Sequence, residues 1–419
     1  MIRNVAFILF CLIGHGCASL EQNINFSDYF SFEKINVVWE QKPRPIMFGS
    51  DAQLNSNALE DMNLLYLSEH DKGNPKVFLA QSIDAGKTFS NLKKISSNDG
   101  KLSLDDGNSP QLGVGDGGEI FATWEEDHDI KFARSSDLKK KFLPPVRVND
   151  DLGNADQSFH TMKVAQDGTI FISWVDGRSN EQKQLDSESI YLTRSLDDGN
   201  TFEKNIRISG NVCHCCKPAI AFGKSGQVFL SWRHEFSGNI RKVVVASSKN
   251  NGLTWSKPVP VSNRGWQIDG CINSGPAMEY INGKLYVAWF TGAESRSALK
   301  FARSDDEGLS FHALGKIQKN VSEPNYPHIE NINGEPWIIF QGTNAKNRKA
   351  AVQAWIVKIT SEDKLSLPQA ISNDELDVAY PHLYKGDDGS VFALWTTLTN
   401  QGPKIMMAKG KLVSQARNY

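Results

Sequence analysis

Cysteine and histidine carry the sharpest chemical signal in this chain. Cys213, His214, Cys215 and Cys216 stand together just before Pro218, and Cys271 stands just before Pro276. Cys213 and Cys271 each precede their proline by five residues, so they hold matching places in two successive repeats. In an exported chain such cysteines form disulfides, and four of them allow three pairings. Alternatively the four thiolates with His214 form a soft metal site suited to copper or zinc. The C-x-C-C spacing leaves both readings open. Tyr326-Pro327-His328 and Tyr380-Pro381-His382 make a second matched set, with two imidazoles expected on neighbouring inner strands as core or channel-lining groups.

The elements that position these residues follow from internal repetition. A short apolar strand ending in an aromatic recurs seven times, at Tyr66, Trp124, Trp174, Trp232, Trp289, Phe340 and Trp395, with 50 to 58 residues between successive aromatics. Five of these strands follow a turn signal such as Asp167-Gly168 or Asn282-Gly283, where positive φ is tolerated. An earlier strand starts about ten residues before each, at Pro110, His160, Pro218, Pro276, Pro327 and Pro381. A third and a fourth strand follow, as in Ile190–Arg194 and Ile206–Ser209. Four short antiparallel strands in about fifty residues describe a propeller blade, which buries its two faces only by stacking on its neighbours. The last unit has three strands, and Ile35–Trp39 stands before the first unit. The expectation is an all-β propeller of seven four-stranded blades over residues 35–412, closed by that N-terminal strand. A six-bladed ring, with the first unit as an extension, is the alternative.

Strand order sorts the loops onto two rims. Loops joining strands two and three, and those joining one blade to the next, share one rim. His70, His128, His160, His214, His234, His328 and His382 lie in or beside that set, and so do the four cysteines. Asp176 and Arg178 open a long loop there; Arg233, His234 and Glu235 open another. Arg264, Trp266 and Asp269 precede Cys271, and Glu323 and Tyr326 lie in the loop expected to lead into blade six.

The turns between third and fourth strands are the most specific motif. They read Ser82-Ile-Asp84-Ala-Gly86-Lys-Thr88-Phe89, and again from Ser195 to Phe202, Ser248 to Trp255 and Ser304 to Phe311, with weaker versions at Ser135–Phe142 and Thr360–Leu367. The four copies resemble the Asp-box, or BNR repeat, of the sialidase (neuraminidase) superfamily. That resemblance covers residues 50–411. It implies a propeller, and an exo-glycosidase of sialidase type acting on sialic-acid-like or other acidic glycans. Such an enzyme needs an arginine cluster for the sugar carboxylate, here Arg178, Arg233 and Arg264. It needs a tyrosine nucleophile paired with a glutamate, here Tyr326 with Glu235 or Glu323, and an acid/base aspartate, here Asp176. The Tyr-Arg-Ile-Pro element of sialidases is not found; Pro43-Arg44-Pro45-Ile46 is the nearest approach. A non-catalytic propeller that binds a glycan or a protein, and a metal-binding propeller, are the competing readings.

Composition narrows the partners. The 419 residues hold 46 Lys and Arg against 48 Asp and Glu, a net charge of −2, which lacks the basic excess of a nucleic-acid binder. Arg3 followed by apolar Val5–Ile13 and small residues to Ser19 has the form of a secretory signal over residues 1–16, too short to span a bilayer. Gly16-Cys17 resembles the end of a lipobox, so Cys17 is a candidate lipid anchor and the only expected link to a membrane. Residues 17–34 then form a linker and 413–419 a tail. The protein is expected to be a monomer exported to a bacterial envelope or secreted, with a glycan or glycoconjugate as partner.

Overall fold

The computed structural model describes residues 30–32, 36–39, 53–56, 62–69 and 75–412, apart from 106, 136–141, 154, 179–187, 271, 294–296, 318, 348, 387 and 401. The expected signal, Cys17, His70 and Cys271 lie outside the described residues. Seven antiparallel sheets follow one another in chain order, and among the described residues only Arg178 takes helical conformation. Blade one spans Gln53–Lys94, blade two Gln111–Arg147, blade three Gln157–Ser209 and blade four Ala219–Pro260. Blade five spans Ala277–Ile317, blade six Val321–Ala370 and blade seven Val378–Leu412. Within each blade the strands pair in sequence order.

The first strands of neighbouring blades pack on one another around a central axis, including those of blades seven and one, so the ring is closed. The last blade draws its outer strands from the N-terminus, as expected. Asn36–Trp39 pairs antiparallel with Gly402–Leu412 in the register Asn36 with Met407 and Val37 with Met406, and Phe30–Phe32 pairs beside it. That pairing covers an edge that would otherwise offer unpaired amides and carbonyls.

Period-two alternation explains the packing. In Ile170–Asp176, residues Ile170, Ile172 and Trp174 face blade two, while Phe171 and Val175 face blade four. Seven apolar clusters result, one between each pair of neighbouring blades. Trp124, Trp174, Trp232 and Trp337 are wholly buried in them; truncation of any one to alanine would cost about 3–5 kcal/mol.

The Asp-box turns are built alike. Ser82 Oγ bonds Asp84 Oδ1 at 2.7 Å and accepts the Gly86 N–H at 2.9 Å, while Asp84 accepts the Thr88 N–H at 2.9 Å. Ser195–Thr201, Ser248–Thr254 and Ser304–Ser310 repeat the pattern. Gly86 and Gly199 adopt φ of 81° and 76°, and a Cβ would meet Met407 and Phe132 of the preceding blade. Glycine therefore serves both the turn and the blade interface. Carboxylates bonded in this way stay ionised: hydrogen bonding by Thr88 brings Asp84 down to about 2, and Ser310 and Ser304 hold Asp306 equally low against some desolvation.

Candidate functional site

The inner strands enclose an axial cavity of about 570 Å³. Its charged lining consists of Lys163, Lys217, Lys385, Glu279 and Glu330; His328, His382, Tyr326, Tyr380 and Tyr384 add rings. Position along the strand brings these groups together. Three residues after His160, Pro276, Pro327 and Pro381 stand Lys163, Glu279, Glu330 and Tyr384, all on the cavity wall. That spacing was present in the sequence but went unused, because the repeat starts served to count blades.

Lys163 Nζ lies 2.7 Å from Glu279 Oε2. Burial opposes the Lys163 charge, but Glu279 and Glu330 outweigh it and hold its pKa above the ordinary lysine value. Glu330 behaves differently. Burial and then the neighbouring Glu279 charge push it up to about 8, although Lys163 pulls the other way. At neutral pH Lys163 is thus charged and Glu330 is a neutral carboxylic acid. His328 and His382 lie tilted at 53° to each other with ring centroids 4.5 Å apart, and His328 Nδ1 accepts the Leu383 N–H at 3.2 Å.

Tyr326 and Glu323 belong to the long inner strand Val321–Ile332, where the sequence suggested a loop. The pairing with blade six's second strand slips twice, between Ser322 and Asn325 and between Asn325 and His328. Glu323 and Tyr326 take φ of 52° and 50°, and Tyr380 takes 51° at the matching bulge of blade seven. Positive φ is uncommon for a bulky aromatic residue and clusters at functional sites. Here it sets the edge of Tyr326 against the face of Tyr380, centroids 4.9 Å apart, on the cavity wall.

Of the seven residues that the sialidase resemblance nominates, Tyr326 alone lines this cavity. Asp176 is wholly buried, accepts the Trp174 Nε1–H at 2.7 Å and binds Arg178. Arg178 also contacts Asp150 at 2.7 Å and lies 4.3 Å over the Tyr191 ring. Arg233 is buried and donates to the carbonyls of Ser274 and Phe290 at 3.2 and 3.0 Å. Arg264 is exposed between blades four and five. Glu235 is half-buried with its carboxylate 3.7 Å from Arg241. These arginines sit in separate surroundings, and among the described residues no arginine lines the axial cavity.

The cysteines form a second centre, in the core between blades three and four. Cys213, Cys215 and Cys216 are buried within 4.8 Å of one another, whereas His214 between them is exposed. Cys215 is disulfide-bonded, while Cys213 and Cys216 are free thiols. Ile272, next to Cys271, gives its N–H to Cys215 Sγ at 3.3 Å. Cys213 Sγ is 3.5 Å from Cys216 Sγ and 3.7 Å from Cys215 Sγ, and it accepts a hydrogen bond from Arg241 Nη1 at 2.9 Å. The Cys216 hydrogen bond, opposed by burial and aided by Arg241 and Arg233, brings Cys213 down to about 6. Burial and the same contact push Cys216 well above the ordinary thiol. As a metal set the cluster offers two thiols here, since a disulfide sulfur is not a thiolate ligand.

A closed ring of seven four-stranded blades, four of them carrying an Asp-box turn between their third and fourth strands, defines a sialidase-like propeller. Residues 114–392, more than half of the chain, match the BNR repeat-like domain, and the protein belongs to that family. No curated protein matches the sequence. Among solved structures, similarity extends to a protein of unknown function from Dyadobacter fermentans, 16% identical over 73% of this chain and 94% of that one, with a TM-score of 0.49. A Trypanosoma rangeli sialidase is 13% identical with a TM-score of 0.49; the match covers 91% of this chain but 59% of the sialidase. An alpha-L-arabinanase of Penicillium chrysogenum, complexed with arabinobiose, is 16% identical over 72% of this chain and 92% of its own, also at 0.49.

Proposed function

We propose that this is an exported glycan-binding propeller that takes the acidic end of a sugar chain into the axial cavity. The composition of the wall carries this reading: three lysines face two glutamates, of which Glu330 holds its proton near neutral pH. An ammonium group pairs with a sugar carboxylate as a point charge, without the fork geometry of arginine. Tyr326 and Tyr380 supply the ring surfaces against which a sugar packs. Calorimetry with oligosaccharides ending in a uronic or sialic acid, against analogues whose carboxylate is reduced to an alcohol, tests the reading. Binding of the acidic forms that weakens about tenfold, or about 1.4 kcal/mol, in Lys217→Met and Tyr326→Ala is the expected result. Equal affinity for both forms, or no binding across an acidic-glycan panel, would refute it.

Glycoside hydrolysis is the second reading, favoured by one observation. Glu279 is ion-paired with Lys163, while Glu330 beside it is protonated at neutral pH. Two carboxyl groups with divided protonation states are the acid/base arrangement of glycosidases. Turnover of an aryl glycoside that disappears in Glu330→Gln would support hydrolysis. Absence of turnover with retained binding leaves the first reading alone.

A further inference from the structure

We propose that Cys213 and Cys216 form a redox-active dithiol that reacts with a small peroxide, with Cys213 as the attacking sulfur and Cys216 as the sulfur that closes the disulfide. The site lies in the wall between blades three and four and is independent of the axial cavity. Three features of its geometry converge. The two sulfurs belong to a C-x-x-C segment and stand 3.5 Å apart. Closing that gap to a bond of about 2.05 Å takes a combined shift of about 1.5 Å, within the reach of side-chain rotation. Arg241 donates to Cys213, whereas Cys216 is bonded by Arg233, so the two sulfurs have different partners. Arg241 is itself fixed by the Gly270 carbonyl at 3.0 Å.

The alternatives fit less well. Two guanidinium groups, Arg241 and Arg233, act on this pair; they stabilise an anionic sulfur, and a metal cation would add to their charge. Both sulfurs are wholly buried, so a protein disulfide cannot reach them, whereas a molecule of peroxide size can through a side-chain fluctuation. The low pKa of Cys213 agrees with the division of roles.

The chemistry balances with hydrogen peroxide as the named oxidant. The Cys213 thiolate attacks one peroxide oxygen; the S–O bond forms, the O–O bond breaks, and hydroxide leaves and takes a proton to become water. Cys213 is then a sulfenic acid. The Cys216 sulfur attacks Cys213 Sγ, the S–S bond forms, and the oxygen leaves as a second water with the Cys216 proton. Two thiols are oxidised to one disulfide and one peroxide is reduced to two waters. Because Cys216 is already in contact, ring closure competes with further oxidation of Cys213.

The test uses the full folded protein with its Cys215 disulfide intact. After peroxide treatment and acid quench, the protein is denatured, alkylated and mapped by mass spectrometry. The expected product is two hydrogens lighter, with a disulfide inside the 213–216 peptide. In Cys216→Ser, Cys213 should accumulate as a sulfenic acid trapped by dimedone. In Arg241→Gln, shown to be folded by thermal melting, the inflection of rate against pH should move from about 6 toward the free-thiol value of about 8.5. Sulfinic acid on wild-type Cys213 with Cys216 unmodified would overturn the proposal. So would exchange to a Cys213–Cys215 disulfide, an unchanged pH profile in Arg241→Gln, no reaction, or a stoichiometric metal ion in the purified protein.

Discussion

Arg178 Nε lies 2.9 Å from Oδ1 and 3.0 Å from Oδ2 of Asp176, so one buried carboxylate takes up much of one guanidinium. The remaining nitrogens of Arg178 reach Asp150 and Asn205. The pair joins the second strand of blade three to the segment before it and to the end of its Asp-box turn. Its geometry is that of a clamp within one blade. Breaking a buried pair by removing one partner leaves an uncompensated charge, at a cost of about 3–5 kcal/mol. Arg178→Ala should therefore lower stability by about that amount in urea unfolding. A loss below about 1 kcal/mol would show that the pair is no clamp.

The Asp-box carboxylates predict an acid limb. Asp84 and Asp306 stand at about 2 in the folded protein, below the unfolded value of about 3.9. A carboxylate with a depressed folded pKa contributes stability above its unfolded pKa and loses it as pH falls through the folded one. The melting temperature should accordingly drop between pH 4 and pH 2. Asp84→Asn combined with Asp306→Asn should flatten this limb, and an unchanged slope would count against the assignment. Asp84 is half-buried and Asp306 exposed, so screening keeps each contribution small.

Which parts of this arrangement the sequence discloses depends on how local each one is. The Asp-box is legible because its hydrogen bonds run between residues two to four apart, so type and spacing carry the whole motif. The closing strand is legible because blade seven shows three strands and Ile35–Trp39 has no blade of its own. The fates of Asp176 and Arg178 are not legible: a loop-mouth carboxylate and arginine look the same whether they meet a ligand or each other. Glu279 and Glu330 acquire their character from Lys163, more than a hundred residues away in the chain, and from burial, neither of which any local pattern records. The disulfide of Cys215 left two of the four cysteines reduced, a partition that spacing alone does not contain.

Closure by the N-terminal strand predicts a truncation phenotype. Six register positions tie residues 30–39 to Gly402–Leu412. At about 1 kcal/mol for each ladder hydrogen bond, a chain lacking residues up to 39 should lose roughly 2–6 kcal/mol. Its exposed edge should also promote association. Differential scanning calorimetry and light scattering on the truncated chain read both effects, and a monomer of unchanged melting temperature would refute the closure as a stabilising device.

The proton on Glu330 predicts how ligand affinity varies with pH. Burial and the Glu279 charge raise its pKa to about 8, so the group is neutral below that value and ionises as pH rises through it. Each ionisation adds one negative charge beside Lys163 and Glu279. An acidic sugar bound to the cavity then meets a second carboxylate, and its affinity should fall. With charges held at an effective dielectric near 20, one such change at several ångströms is worth about 1–3 kcal/mol, or roughly a tenfold to hundredfold loss of binding between pH 7 and pH 9.5. Glu330→Gln cannot ionise and should bind equally at both pH values, with wild-type affinity at pH 7. Lys163 remains charged across this range, because Glu279 holds it above its ordinary value. Titration of one acidic oligosaccharide at both pH values into both proteins decides the matter. A wild-type affinity that is flat across the range, or a Gln variant that follows the wild-type fall, would mean that Glu330 does not set the charge of this cavity.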